Sequence, residues 1–225
     1  MPVLIKICGL KNETALEAAL EGGADFVGFV FFAPSPRHLD FTTAHTLAAR
    51  VAGRAGKVAL TVDADDAMLA QIVEVIKPDL LQLHGSETPS RVTDIKTRFK
   101  RPVMKALPVA EAADLAAIAD YSAVADRLLF DARPPADATR PGGLGRVFDW
   151  RLLENLDPGI PFMLSGGLDP DNVATALGVT QAPAVDVSSG VERASGEKDP
   201  DKIRAFIRAV RQTDGATKTK LASTA

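Results

Sequence analysis

The chain is predicted to fold as an α/β protein, a single-domain (β/α)8 TIM barrel. Three observations predict it. Its 225 residues match the roughly 200–250 that one such barrel requires. Short β-branched runs alternate with helical patterns, the signature of βαβ units and a parallel sheet. There are eight such runs, which favours a closed barrel over an open doubly wound sheet.

The runs are 3–7 (VLIKI), 25–31 (DFVGFVF), 57–62 (KVALTV), 79–83 (DLLQL), 102–106 (PVMKA), 127–131 (RLLFD), 161–165 (PFMLS) and 184–188 (AVDVS). After the first run, Leu16, Ala19 and Leu20 form an apolar face over 13–21. Asn12-Glu13 opens that helix, and Gly22-Gly23 suits a positive-φ end. After the third run, Ile72, Val75 and Ile76 mark a helix over 65–77, for which Asp63 reads as the cap. Pro78, Pro102 and Pro161 fall before or at strand starts, where a missing N–H costs least. Residues 132–148, rich in Pro and Gly, read as a long loop after the sixth run, and long loops in compact domains are commonly functional. Asp169-Pro170 reads as N-cap and N1 of a helix over 171–177. Ile203, Phe206, Ile207 and Val210 face the core from the last helix. The barrel domain is expected over 1–212, and 213–225, without an apolar face, is expected to be a disordered tail.

Composition narrows the function. A net charge of −3 gives no reason to expect nucleic acid or an anionic membrane as partner. Cys8 is the one cysteine, so neither an internal disulfide nor a multi-cysteine metal site is expected. His38 and His45 have no metal-ligand spacing, and no metal is expected. The N-terminus lacks a signal-peptide layout and no apolar stretch is long enough to span a bilayer, which makes the cytoplasm the expected location.

Active sites of these barrels lie at the C-terminal ends of the strands. The reactive side chains there are Cys8, Arg37 (in the loop after the second strand), Asp63, His84, Asp131, Ser165 and Asp186. Each has a plain alternative. A lone cysteine can be a small buried hydrophobe, Asp131 can cap a turn, and His84 before Gly85 can serve backbone carbonyls. Gly166-Gly167 after Ser165, and Ser188-Ser189-Gly190, lie on the loops after strands 7 and 8, where this fold commonly binds phosphate through backbone N–H groups. Gly166, Gly167, Ser188 and Gly190 are therefore the expected phosphate site.

The ordered motifs are Lys6-Ile7-Cys8-Gly9, Gly28-Phe29-Val30-Phe31 with Ser35-Pro36-Arg37, Gln82-Leu83-His84-Gly85 and Leu129-Phe130-Asp131. They continue through Gly142-Gly143-Leu144-Gly145 with Phe148-Asp149-Trp150, Leu164-Ser165-Gly166-Gly167-Leu168, Asp186-Val187-Ser188-Ser189-Gly190-Val191-Glu192 and Gly196-Glu197-Lys198-Asp199. Together they resemble the phosphoribosylanthranilate isomerase family. The resemblance implies an Amadori rearrangement of a small phosphorylated substrate, N-(5′-phosphoribosyl)anthranilate, in tryptophan biosynthesis. It implies no metal and no organic cofactor, and either a monomer or a homodimer. It assigns Cys8 as general base and Asp131 as general acid, the pair that opening an aminoaldose ring and moving a C2′ proton require. Arg37 is expected to hold the anthranilate carboxylate, and Asp186 a ribose hydroxyl, with His84 also on the substrate.

Such an acid needs burial or a nearby negative charge, because a carboxyl ordinarily ionises near about 3.9. The base needs help toward the thiolate. Lys6 shares the Cys8 face of the strand one step lower, from where it could lend charge. Two alternatives stand beside this reading. Another phosphate-binding barrel enzyme, an indole-glycerol-phosphate synthase or a sugar-phosphate epimerase, would need a strand-end lysine or a His/Asp metal set. A non-catalytic phosphate-binding barrel would be favoured by loss of Cys8 or Asp131, and both are present.

Overall fold

The computed structural model describes residues 2–135 and 137–222, with side chains of the C-terminal helix described to Thr213. Eight parallel strands close into a barrel in sequence order. They are β1 (Leu4–Cys8), β2 (Phe26–Phe31), β3 (Gly56–Thr61), β4 (Leu80–Leu83), β5 (Val103–Val109), β6 (Arg127–Ala132), β7 (Phe162–Leu164) and β8 (Ala184–Val187). Each predicted run overlaps one of them, and β5 continues three residues past its run, to Val109. The barrel closes where β1 pairs with β8, Lys6 opposite Asp186.

The helical layer is less regular. It contains α1 (Glu13–Gly22), α2 (Phe41–Val51), α3 (Asp66–Ile76), α4 (Pro89–Phe99), the short α5 (Ile118–Ser122), α6 (Val173–Thr180) and α7 (Pro200–Ala222). A 3-10 turn, Trp150–Leu153, stands where the helix after β6 would be. As expected, Asn12 caps α1 through a bond from the Ala15 N–H, and Gly23 ends it at φ +86°. The apolar face expected on the last helix is buried: Ile203, Phe206, Ile207 and Val210. The helix extends beyond residue 213, where the tail was expected to begin, and residues 223–225 of that segment lie outside the described residues.

Two local expectations are corrected. Asp65, not Asp63, caps α3, accepting from the Met68 N–H. Asp63 takes a left-handed φ of +48° and accepts from the Ser86 N–H, which ties the loop after β3 to the loop after β4. The helix predicted from 171 begins at Val173, because Asp169 Oδ1 accepts from the N–H groups of Asp171 and Asn172 and holds the preceding residues in a turn.

Strand alternation divides the side chains cleanly. Ile5, Ile7, Val27, Phe29, Leu128 and Phe130 point outward into the layer packed under the helices. A second, separate cluster fills the lower interior of the barrel: Leu4, Phe26, Val58, Leu80, Met104, Ala106, Leu129, Met163 and Ala184. Two residues further along the same strands, the inward positions turn polar: Lys6, Gln82, Asp131, Ser165 and Asp186, all buried. Among the described residues no helix is long and apolar enough to cross a membrane.

Candidate active site

A cleft of about 780 Å³, open to solvent, lies over this polar layer at the C-terminal ends of the strands. Cys8, Arg37, His84, Asp131, Gly166, Gly167, Asp186 and Ser188 all line it. Of the residues expected to act on, bind or hold the substrate, only Gly190 does not line the cleft, although its neighbour Ser189 does, and Asp63, also at a strand end, lies outside it.

Cys8 is the last residue of β1 and is 3% exposed. Its thiol has room because β2 places Gly28 beside it: a methyl group there would lie 2.9 Å from Sγ. Below it, Lys6 Nζ donates to Asp186 Oδ1 at 2.7 Å, and Ser165 Oγ donates to Asp186 Oδ2 at 3.2 Å. Burial pushes the Cys8 thiol above its ordinary value. Lys6 and Lys198 pull it back, Asp186 adds to the rise, and the net shift is upward. The help from Lys6 expected from the sequence is present but outweighed by burial. Lys6 itself is raised: burial disfavours its charge, but Asp186 and then Cys8 more than offset that.

Asp131 lies at the end of β6, 6% exposed. Oδ1 accepts from the Ala132 N–H at 2.9 Å, and Oδ2 is 3.2 Å from His84 Nε2. On the far side of the imidazole, Gln82 Nε2 is 3.0 Å from Nδ1. With the glutamine donating there, the histidine carries its hydrogen on Nε2 and directs it at Asp131. His84 therefore contacts the candidate acid, a partnership that strand-end position alone does not reveal. The sequence also gave no hint of what holds His84. Lys105 Nζ, buried behind the barrel wall, donates to the Gly85 carbonyl at 2.6 Å and to Glu87 Oε2 at 2.9 Å. Glu87 in turn accepts from the Asp63 and Gly85 N–H groups. A buried ion pair thus pins the turn that presents the imidazole.

Arg37 is 4% exposed rather than solvated. Nε and Nη2 donate to the two oxygens of Glu192, at 2.8 and 2.9 Å, and Nη2 also donates to the Gly143 carbonyl at 3.1 Å. Glu192 opens a hairpin of β9 (Glu192–Ala194) and β10 (Glu197–Lys198) that the sequence reading did not foresee. These strands are three and two residues long, too short for an alternation signal.

Residues 140–146, ahead of the Trp150–Leu153 turn, line the cleft from above. A methyl group at Gly142 would lie 2.6 Å from Asp131 Oδ2 and 2.9 Å from His84 Nε2. One at Gly143, where φ is +69°, would meet Arg37 Nη1 at 2.5 Å. These glycines let the backbone cover the acid and the arginine at contact distance. Across the cleft, Gly166 and Gly167 have φ of +87° and +64°. Their N–H groups have no hydrogen-bond acceptor among the described residues. Unpaired N–H groups at adjacent positive-φ residues form an anion-binding concavity. Among the described residues no group of three or more His, Cys, Asp or Glu is placed to hold a metal.

Comparisons with known proteins agree with this geometry. The family model described as N-(5'phosphoribosyl)anthranilate (PRA) isomerase matches residues 5–209. The chain is 62% identical over 217 residues to the N-(5'-phosphoribosyl)anthranilate isomerase of Bradyrhizobium diazoefficiens, covering 96% of this chain and 97% of the relative. It is 64% identical over 214 residues to that of Rhodopseudomonas palustris, covering 95% and 98%. Among solved structures, the phosphoribosyl anthranilate isomerase of Thermotoga maritima superposes with a TM-score of 0.84 at 33% identity, covering 93% of this chain and 99% of that one. The isomerase solved with reduced 1-(o-carboxyphenylamino)-1-deoxyribulose 5-phosphate gives 0.81 at 31% identity, with the same coverage of each chain. A closed eight-stranded barrel, polar groups converging on its upper rim and a family match along nearly its whole length agree: this chain belongs to the N-(5'phosphoribosyl)anthranilate (PRA) isomerase family.

Proposed function

We propose that this chain converts N-(5′-phosphoribosyl)anthranilate to 1-(o-carboxyphenylamino)-1-deoxyribulose 5-phosphate in tryptophan biosynthesis, with Asp131 as general acid and Cys8 as general base. The observation that carries this reading is that a buried carboxyl and a buried thiol, at the ends of β6 and β1, line one cleft.

The chemistry uses both. Asp131 gives a proton to the ring oxygen as the C1′–O bond breaks, and the anilino nitrogen lone pair forms the C1′=N bond of a Schiff base. Cys8, as thiolate, then takes the C2′ proton. The C–H electrons form C1′=C2′, the C=N electrons return to nitrogen, and the resulting enolamine tautomerises to the ketone. The rearrangement conserves every atom of the substrate. Burial that raises the thiol makes its conjugate thiolate a stronger base, while lowering the fraction present at neutral pH.

The remaining groups position the substrate. Gly166 and Gly167, with Ser188 on the β8 side, hold the phosphate through backbone N–H groups, while Gly190 packs against the Leu168 carbonyl outside the cleft. Arg37 faces the aryl carboxylate with Nη1, which makes no hydrogen bond among the described residues, its other edge being occupied by Glu192. Asp186 orients a ribose hydroxyl while tethered by Lys6 and Ser165. His84 steadies Asp131. A homodimer is part of the proposal, as one solved Thermotoga maritima relative is described as dimeric; light scattering tests it.

The test follows anthranilate-type fluorescence of substrate generated in the cuvette. Wild type should quench it, whereas Cys8→Ser and Asp131→Asn should lower turnover by about 10²-fold or more, the usual contribution of a positioned acid or base. A folded variant with near-normal turnover removes that residue from the mechanism.

A further inference from the structure

The Arg37 fork belongs to a larger buried group of charges. Lys198 Nζ, 1% exposed at the end of the hairpin, donates to Glu192 Oε1 at 2.6 Å and to the Ser188 carbonyl at 3.0 Å. Glu192 Oε1 therefore receives both Arg37 Nε and Lys198 Nζ, and Oε2 receives Arg37 Nη2 and the Gly196 N–H. The carboxylate is saturated. Two cations share one anion, so the cluster carries one uncompensated positive charge, largely out of water, in the wall of the cleft. A buried excess charge is costly unless a counter-charge completes it.

We propose that Glu192 and Lys198 are specificity-determining residues: with Arg37 they form a cluster short of one negative charge, which selects substrates whose aryl group bears an anion. This rests on the reading that Arg37 receives the anthranilate carboxylate. Glu192 fixes the fork so that only Nη1 is left for the substrate, and Lys198 restores the charge that Glu192 would otherwise cancel. Without Lys198, Arg37 and Glu192 would neutralise each other and a carboxylate would gain little by binding beside them. The groups with the largest influence on Lys198 are Glu192, Arg37 and Cys8; Lys202, on α7, donates to the Glu192 carbonyl at 2.8 Å but is exposed to solvent. Burial, the largest influence, lowers its ammonium, Glu192 opposes, Arg37 adds to the fall and Cys8 offsets, leaving it at about 8. The cluster's excess charge should therefore disappear as the pH rises through that value, whereas the substrate's phosphate and carboxylate stay ionised throughout.

The test compares N-(5′-phosphoribosyl)anthranilate with N-(5′-phosphoribosyl)aniline, which keeps the phosphate and ribose but lacks the carboxylate. Wild type should prefer the carboxylated substrate, with KM for it rising between pH 7 and 9.5 and KM for the aniline compound flat. Lys198→Met and Lys198→Gln should each raise KM for the carboxylated substrate by about tenfold, the loss of one modest charged contact. They should leave KM for the aniline compound unchanged and abolish the pH dependence. Equal losses on both substrates would overturn the proposal and assign Lys198 to the phosphate or to the fold; so would a preference that survives both variants. Arg37→Met separates the two levels. If it removes the preference while the Lys198 variants do not, only the present inference fails; if it leaves the preference intact, the reading of Arg37 fails first.

Discussion

Replacing Gly142 by alanine places a methyl group 2.6 Å from Asp131 Oδ2 and 2.9 Å from His84 Nε2. Ordinary contact begins near 3.4 Å, so something must give by about 0.8 Å. The backbone at Gly142 is not in the left-handed region, so the alanine itself is tolerated and only its neighbours move. The loop can lift, admitting water, or the carboxyl can turn from the ring oxygen. A misplacement of about 1 Å in a catalytic group costs roughly 10²-fold, so kcat should fall by about that factor. Stability should not follow. The loop lies outside the barrel core, and a Gly→Ala change at a compatible backbone gains about 0.4–1 kcal/mol from a less flexible unfolded chain. The thermal midpoint should hold or rise by up to about 4 °C, at roughly 2–4 °C per kcal/mol for a chain of this size. Calorimetry and the fluorescence assay on one preparation give both numbers. A variant with kcat within twofold of wild type would show that the loop does not seat on Asp131 during turnover and would refute the reasoning.

The remaining predictions concern the charges beneath the loop and the phosphate site. Because burial raises the Cys8 thiol, kcat should still be climbing at pH 9, above the point where an ordinary cysteine is half ionised; a plateau by pH 8 would count against Cys8 as base. Lys6→Met should shift that limb further upward, since Lys6 is the larger of the two influences that lower the thiol. The same change strands Asp186 in the barrel and should destabilise by about 3–5 kcal/mol in denaturant unfolding. Inorganic phosphate should raise KM without changing kcat, and noncompetitive inhibition would place phosphate elsewhere than Gly166 and Gly167.

Much of the barrel is legible in the sequence because inside and outside alternate strictly along each strand. Ile5 and Ile7 flank Lys6, and Leu128 and Phe130 flank Leu129, so the rule that finds the strands also places Cys8 and Asp131 on the inner face. Helices were harder. α2 ends in left-handed Ala52, one residue before Gly53, and α4 ends in left-handed Lys100 with no glycine beside it. α4 buries only Val92 and Ile95, too few for a confident stripe. In the site, strand ends located the candidate acid and base but not their partners. That Arg37 is engaged by Glu192, and that Lys105 steadies the His84 turn, depends on residues 155 and 20 positions away in the chain respectively. No local periodicity encodes such pairings; they appear only when the barrel closes.

The apolar cluster that fills the lower interior has a consequence for traffic. With Phe26, Val58, Met104 and Met163 packed there, the barrel is filled from beneath like a cup. Substrate, product and every exchangeable proton must cross the same rim. A loop that seats on that rim therefore governs more than access: while Gly142 rests against Asp131, the protons inside are those that arrived with the substrate or were already on the protein. A C2′ hydrogen moved by Cys8 would then be shielded from bulk exchange for the lifetime of closure. Isotope washed into the product from labelled water would record how often the rim opens in mid-reaction.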